Sequence, residues 1–420
     1  MKTLKRFSAL AVSLIMLLSG CAGRGAVPSE PVTPPPTEPA ETALPVTVAE
    51  TTAATTAATA PPTTVTEATT TLPPEPEYYT VRLICAGDNL IHSSIYNQAK
   101  RRAAANGEEG YDFGYVYERV EHYIKDADLA ILNQETIVTD ELEPSDYPRF
   151  CSPADLGEHM IDIGFDVFSM SNNHVLDRGE EGLLATLRFW DSHEGIVRYG
   201  AYRDEEDMNN IRTLEVNGIT FAFLGYMEHT NGLKLKDDSP CKITYLKELE
   251  LIEEQVRRAD EIADVVVVSP HFGKEISNEV TESQKNIARL LVDWGADIII
   301  GTQPHTVQTM EYIEREDGTK AFCFYCLGNF VSAQENYKAM VGMLGELTVT
   351  KNSLTGEISL DDPGAIPIIT QYGANYYQVH IVPYCEYTDE ELNSHGSKDF
   401  SRKTLDKVLS NIPEEYLRIE

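Results

Sequence analysis

Six short polar motifs, each placed where an apolar, strand-like run stops, constrain this chain more than any other feature. In order they are Gly87-Asp88-Asn89-Leu90-Ile91-His92, Asn133-Gln134-Glu135, Ser171-Asn172-Asn173-His174, His271-Phe272-Gly273-Lys274-Glu275, Gly301-Thr302-Gln303-Pro304-His305 and Leu327-Gly328-Asn329-Phe330. An α/β sheet collects the carboxyl ends of its parallel strands along one edge, and sites form there. Carboxylate, amide and imidazole groups gathered from several strands suit a hard or borderline divalent cation. The pattern therefore points to a metal-dependent centre of the hydrolase kind.

The runs between the motifs support that placement. Apolar segments at 81–86, 129–132, 166–170, 265–269 and 298–300 read as strands, and amphipathic stretches at 180–193, 246–263 and 283–294 read as helices. Asn217-Gly218 between two β-prone runs predicts a hairpin turn with positive φ at both central residues. Ser152-Pro153 marks a helix start. Further strands are expected at 307–313, 321–327, 344–350 and 378–383, and a closing helix near 402–409. Strand and helix alternate in the first half, and hairpins dominate later. That predicts a mixed sheet, or two packed sheets, with helices outside.

The amino-terminal segment differs in kind. Lys2, Lys5 and Arg6 precede a short apolar run, which is too short for a permanent membrane span. The run ends in Leu18-Ser19-Gly20-Cys21, which resembles the bacterial lipobox, where cleavage precedes a lipidated cysteine. Residues 1–20 are thus expected to be a lipoprotein signal peptide, with Cys21 lipidated and anchoring the chain to the membrane. Residues 21–77 are Pro, Thr, Ala and Glu with almost no large apolar side chains, a composition that cannot offset its ordering entropy. We expect a disordered tether there, a folded α/β domain over 78–386, and a helical extension over 387–420. The expected location is the extracytoplasmic face of a bacterial cell membrane.

The formal net charge of −33 argues against a nucleic-acid partner. It also repels polyanions in bulk, unless a bound metal or a local basic patch reverses the sign. Besides Cys21 the chain carries Cys85, Cys151, Cys241, Cys323, Cys326 and Cys385. Disulfides are permitted outside the cytoplasm. Cys323 and Cys326, three apart in an expected strand, face opposite sides and disfavour a local bridge. Small buried hydrophobes are the simpler reading.

Each motif has a plain structural reading beside the chemical one. Asp88 alone serves equally as a turn cap, and Glu135 alone as a solvated loop residue. His271 and His305, taken singly, read as structural histidines. Asn173-His174 is more telling, because an amide oxygen can hold a metal while the adjacent imidazole passes a proton to a leaving group. Asp177 is spaced to orient His174. Arg149, in Tyr147-Pro148-Arg149-Phe150, is suited to a bidentate hold on phosphate or carboxylate, or to a surface ion pair. Asn329 reads as a turn residue or a ligand contact.

Taken in order, Gly87-Asp88, Asn133-x-Glu135, Asn172-Asn173-His174-x-x-Asp177-x-Gly179, His271-x-Gly273-x-Glu275, Gly301-x-x-Pro304-His305 and Leu327-Gly328-Asn329-Phe330 resemble the CapA family of capsule and poly-γ-glutamate biosynthesis proteins. Pro148-Arg149-Phe150 and Thr230-Asn231-Gly232-Leu233 fit as well. That family is similar to the calcineurin-like metallophosphoesterases. The resemblance implies an α/β fold of the calcineurin-like metallophosphatase kind, a four-layer sandwich of mixed sheets flanked by helices. It implies one or two divalent ions (Mn, Zn or Fe) held by Asp88, Glu135, Asn173, His271 and His305. His174 becomes the proton donor, supported by Asp177. Asn133, Glu275, Gln303, His92, Arg149 and Asn329 are further candidates. The implied partners are an anionic cell-envelope polymer and its synthesis or export machinery. Two positions depart from the pattern. Leu90 stands where metallophosphoesterases carry the histidine of Asp-x-His, with His92 the nearest substitute. Gln303 stands where Gly-x-His-Pro-His has its first histidine, which weakens one metal position.

Overall fold

The structure is a computed structural model that describes residues 75–419. The expected signal peptide, the lipidated Cys21 and nearly all of the expected tether lie outside the described residues.

Two mixed sheets lie face to face. The first runs in the order Tyr377–Pro383, Ile358–Gly373, Val341–Asn352, Tyr78–Asn89, Leu129–Asn133, Val167–Ser169, Val197–Tyr199, and the short Asn329–Val331 strand also pairs with Tyr78–Asn89. Its last four strands in that order are parallel to one another, and the first three are antiparallel. The second sheet has the order Met310–Glu314, Lys320–Phe324, Ile298–Ile300, Val265–His271, Ile219–Met227, Arg212–Val216. It has a parallel centre and an antiparallel strand at each edge.

Side-chain alternation explains the layering. Phe221, Phe223, Val265, Val267, Ile298, Ile300, Phe322 and Phe324 point into the core shared with the first sheet. Their neighbours Ala222, Leu224, Val266, Val268, Ile299 and Cys323 point the other way, onto the Leu249–Ile262 and Glu282–Trp294 helices. A strand covered on both faces needs no polar alternation, which is why four consecutive valines and three consecutive isoleucines occur here. Helices Ser93–Asn106, Ala154–Asp162 and Gly179–Asp191 contribute Ile95, Leu156, Met160, Leu183 and Trp190 to the core of the first sheet. Mixed sheets in the middle with helices outside give the four-layer α/β sandwich expected for the calcineurin-like fold.

Several local expectations change. Asn217 (φ 49°) and Gly218 (φ 80°) form the expected hairpin turn. Pro153 is the residue before the Ala154–Asp162 helix rather than its first helical position. The longest strand, Ile358–Gly373, was not foreseen, because Pro363, Gly364 and Pro367 interrupt its apolar pattern. A register shift between Glu346 and Thr348, with Asp362 at φ 50°, absorbs Pro363 as a bulge, while Pro367 stays in register opposite Met343. The strand carrying Cys323 ends at Phe324, so Cys326 lies beyond it. The six described cysteines are all free thiols, five buried and Cys385 exposed. Phe400, Leu405, Val408, Leu409 and Ile412 of the carboxyl-terminal segment join the main core, and the Arg418 amide donates to the Ala365 carbonyl.

Candidate metal centre

Register places the site. Asp88 pairs with Asn133 on one side and Asn329 on the other, and Asn133 pairs with Ser169, so the parallel strands of the first sheet finish level. In the second sheet His271 ends its strand opposite Met227 and bridges to Thr302. Both sheets present these ends to the same place. The approach is close. A Cβ on Gly87 would lie 1.9 Å from the Gly328 carbonyl oxygen, and one on Gly301 would lie 2.0 Å from that of Tyr325. Only glycine fits before either motif. Gln303 (φ 96°) and His305 (φ 57°) hold left-handed backbone conformations around Pro304. Non-glycine residues there are strained by about 1–3 kcal/mol each, a cost commonly found at functional sites.

The five expected ligands form one continuous buried cluster. Asp88 Oδ2 lies 2.9 Å from His305 Nδ1. His305 Nδ1 is 3.7 Å from Glu135 Oε2, Glu135 Oε1 is 3.6 Å from His271 Nε2, and His271 Nε2 is 3.2 Å from Asn173 Oδ1. All five residues are 2% exposed or less. Ligand atoms of Asp88, Glu135 and His305 lie within 4.8 Å of one another. Both carboxylate oxygens of Glu135 are buried without a hydrogen-bond partner, as is Gln303 Oε1. Buried polar atoms are nearly always satisfied. Orphaned oxygens among oxygen and nitrogen donors fit a divalent cation.

The charge state follows from burial. Burial pushes Glu135 well above the ordinary glutamate range, and the nearby Asp88 charge adds to that. Burial also pushes Asp88 up, but its hydrogen bond and ion pair with His305 outweigh this and hold it below its usual value. Burial works against charge on His305, yet Glu135 and Asp88 overcome it and raise its pKa to about 9. His271 falls to about 3 because burial dominates there. His271 is therefore a neutral imidazole, the form that binds metal.

Supporting contacts fix the cluster. Asn133 Nδ2 donates to Asp88 Oδ1 at 2.7 Å. His271 Nδ1 lies 2.8 Å from Thr302 Oγ1, which turns Nε2 toward Glu135 and Asn173. Asn173 Nδ2 reaches Asn231 Oδ1 at 3.4 Å. The roles of Thr302 and Asn231 were missed, because neither residue type signals a second layer of contacts; only their places inside motifs hinted at one.

Beside the cluster a cavity of ≈ 530 Å³ is lined by His174, Asp177, Asn173, His305, Arg149 and Leu233, among others. His174 Nδ1 is 2.7 Å from Asp177 Oδ2. The same Asp177 oxygen accepts from the Phe150 amide at 2.7 Å, and the Phe150 ring packs edge-on against His174. Asp177 thus ties the His174 ring to the segment that carries Arg149. Arg149 is exposed on the cavity wall and forms no ion pair among the described residues. Glu275 also lines the wall and accepts from Gln303 Nε2 at 3.3 Å. His92 takes the Ala333 amide on Nδ1 at 3.1 Å and packs against Phe150, and no hydrogen bond or ion pair joins it to the cluster. Asn329 spends its Nδ2 on Ser332, Gln334 and the Ala339 carbonyl, which fixes the following turn.

Residues 82–334 match the family model described as bacterial capsule synthesis protein PGA_cap. The chain is 36% identical over 175 residues to the PGA biosynthesis protein CapA of Bacillus subtilis, covering 41% of this chain and 44% of that protein. It is 30% identical over 240 residues to the capsule biosynthesis protein CapA of Bacillus anthracis, covering 53% and 55%. The matches thus span about half the length of these curated relatives. Among solved structures, a phosphatase from Mycoplasma pneumoniae aligns at TM-score 0.41 and 15% identity, covering 70% of this chain and 95% of that one. The 5'-nucleotidase of Candida albicans aligns at 0.35 and 10%, covering 78% and 57%. The fold rests on the strand order and register above rather than on these distant likenesses. A family model matched across more than half of the sequence places the chain in the bacterial capsule synthesis protein family PGA_cap.

Proposed function

We propose that this chain is a lipid-anchored envelope protein that serves in the synthesis, export or anchoring of an anionic capsule polymer. We further propose that it acts on a phosphoester-type bond at the Asp88–His305 cluster. The observation that carries this reading is the buried cluster of Asp88, Glu135, Asn173, His271 and His305 beside a cavity that contains a His174–Asp177 pair. Asp88, Glu135 and His305 hold one cation position, and Asn173 and His271 extend the donor set on the other side of Glu135. When bound, the cation supplies Lewis-acid polarisation and an acidified water. His174 supplies the proton for the leaving oxygen, and Asp177 holds its ring through Nδ1 so that Nε2 can face the cavity. Arg149 offers two parallel donors to an anionic group of the substrate.

Purified protein loaded with Mn or Zn is expected to cleave an aryl phosphate mono- or diester. His174→Ala is expected to lower kcat/KM by about 10²–10⁴-fold. Absence of cleavage with each metal across such substrates removes the catalytic reading. Gln303 and Leu90, in place of two imidazoles, favour a second reading, in which the site binds polymer through a cation without cleaving it. Under that reading polymer binding survives His174→Ala and is lost with chelator.

A further inference from the structure

Much of the metal-side cavity wall takes no part in holding a cation or passing a proton. Leu90, Pro148, Phe150 and Leu233 give it apolar surface, and Tyr147 lines it as well. Tyr147 is 74% exposed, the highest value among the exposed large apolar side chains of the described residues, and the others line no part of this cavity. Three polar side chains of the same wall are only half used. Glu275 Oε1 accepts from Gln303 Nε2, Gln334 Oε1 from Asn329 Nδ2, and Asn231 Oδ1 from Asn173 Nδ2. Glu275 Oε2, Gln334 Nε2 and Asn231 Nδ2 make no hydrogen bond among the described residues, which leaves an acceptor oxygen and two amide donors for a ligand.

The turn that carries Tyr147 is pinned. Ser145 and Cys151 exchange backbone hydrogen bonds of 2.9 and 3.0 Å. Ser145 Oγ donates to Arg149 O at 2.7 Å, and Tyr147 N donates to Asp146 Oδ1 at 2.8 Å. Asp146 Oδ2 accepts from Ser93 Oγ at the start of the Ser93–Asn106 helix. A side chain on a turn so held loses little further freedom when it meets a ligand. The Tyr147 ring packs edge-on against Phe150, with centroids 6.2 Å apart, and Phe150 packs edge-on against His174 at 4.9 Å. Tyr147 is thus one ring removed from the proton donor, on the side where the leaving oxygen departs.

We propose that Tyr147 is a stacking platform for a saccharide ring, so that the alcohol released from the phosphoester is a sugar. A pyranose has an apolar C–H face, which suits the face of an exposed aromatic ring. Its hydroxyls both donate and accept, which matches Glu275 Oε2 beside the amides of Gln334 and Asn231. Arg149 is the one lysine or arginine that lines the cavity, and Glu275 opposes further negative charge there. The wall therefore suits a single anionic group next to a neutral polyol. In the reaction the bond between phosphorus and the sugar oxygen breaks, and water supplies the oxygen that replaces it. The sugar oxygen takes the proton of His174, which a proton of that water restores. The subsite rests on the reading of the neighbouring cluster as a phosphoester site.

The test uses the full chain carrying His174→Ala and loaded with Mn, so that bound ester is not consumed. Glucosyl phosphate, cyclohexyl phosphate, glycerol phosphate and inorganic phosphate are titrated calorimetrically, which separates the contributions of ring, hydroxyls and phosphate. Glucosyl phosphate is expected to bind tightest. Adding Tyr147→Ala is expected to weaken glucosyl and cyclohexyl phosphate by about five- to tenfold and to leave the other two ligands within about twofold. Tyr147→Trp is expected to keep the ring preference. Tyr377→Ala, which removes another exposed tyrosine that lines a different cavity, is expected to change none of the four. Unchanged melting temperatures establish that the variants are folded. Tyr147→Ala weakening all four ligands equally or none of them overturns the proposal, as does cyclohexyl phosphate binding as tightly as glucosyl phosphate, or no binding of glucosyl phosphate. Turnover of a small aryl phosphate by wild type is measured alongside. Ring-dependent binding without turnover supports the subsite while removing the hydrolytic reading, and turnover with ring-independent binding does the reverse.

Discussion

Glu135 is the residue at which function and stability conflict most sharply. Its two carboxylate oxygens are buried and unpartnered, and it sits against Asp88. Without a cation, ionised Glu135 is a liability to the fold. An unsatisfied buried polar group costs about 1–3 kcal/mol, and more when charged. Glu135→Gln keeps the shape and removes the charge, so the chelated variant is expected to be more stable than chelated wild type by about 1–3 kcal/mol. At about 2–4 °C per kcal/mol for larger domains, that is a rise of a few degrees in Tm. Cation reverses the order. Ligand at about 100 times its Kd stabilises wild type by about 2.7 kcal/mol, and the variant gains far less. The pH dependence follows in sign. The folded pKa of Glu135 is raised, so the penalty is present above the ordinary glutamate value of about 4.3 and vanishes as pH falls to it. The gap between the chelated proteins therefore closes toward pH 4. Thermal melts of both proteins, with EDTA and with Mn, at pH 4.5 and 7, measure all of this. A chelated variant less stable than wild type at pH 7, or equal stabilisation of both by Mn, refutes the reasoning.

Three further outcomes are expected. Metal binding to the chelated protein displaces the proton that His305 holds up to about pH 9, so affinity rises with pH between 6 and 8. Calorimetry in two buffers of different ionisation heat detects the released proton, and buffer-independent heats contradict it. Gln303→His replaces a weak oxygen donor with an imidazole, and elemental analysis is expected to find more metal per chain than in wild type. Asp207 is the hub for Arg198, Arg203 and Arg212, with Arg198 2% exposed. Asp207→Asn leaves the buried Arg198 guanidinium with Asp191 as its remaining ionic partner and is expected to cost about 1.5–3 kcal/mol, read by denaturant unfolding. Burial pushes Asp207 up, but the Arg203 amide and the three arginines hold it below its usual value. Its contribution is present above the ordinary aspartate range and fades as pH falls through the folded value.

Much of this was legible in the sequence because parallel strands buried on both faces announce themselves. Four valines before Ser269 and three isoleucines before Gly301 leave no choice of face, and their ends fall at one edge. Asp88, Glu135, Asn173, His271 and His305 are therefore found together in space, although 217 residues separate the first from the last. The Ile358–Gly373 strand was hidden because register and a bulge, not local pattern, make it a strand. Thr302 and Asn231 gave no signal of their own, since a hydroxyl or amide that orients a ligand looks like any loop residue. The link from Asp177 to the Phe150 amide runs through backbone, which sequence does not show.

The cluster between the two sheets is proposed to hold a divalent cation. Elemental analysis of protein loaded with Mn or Zn and then desalted, combined with anomalous diffraction at the metal edge, tests it most directly. Bound metal and an anomalous peak among Asp88, Glu135 and His305 are expected. Metal-free protein after loading, or a peak away from these three residues, contradicts it.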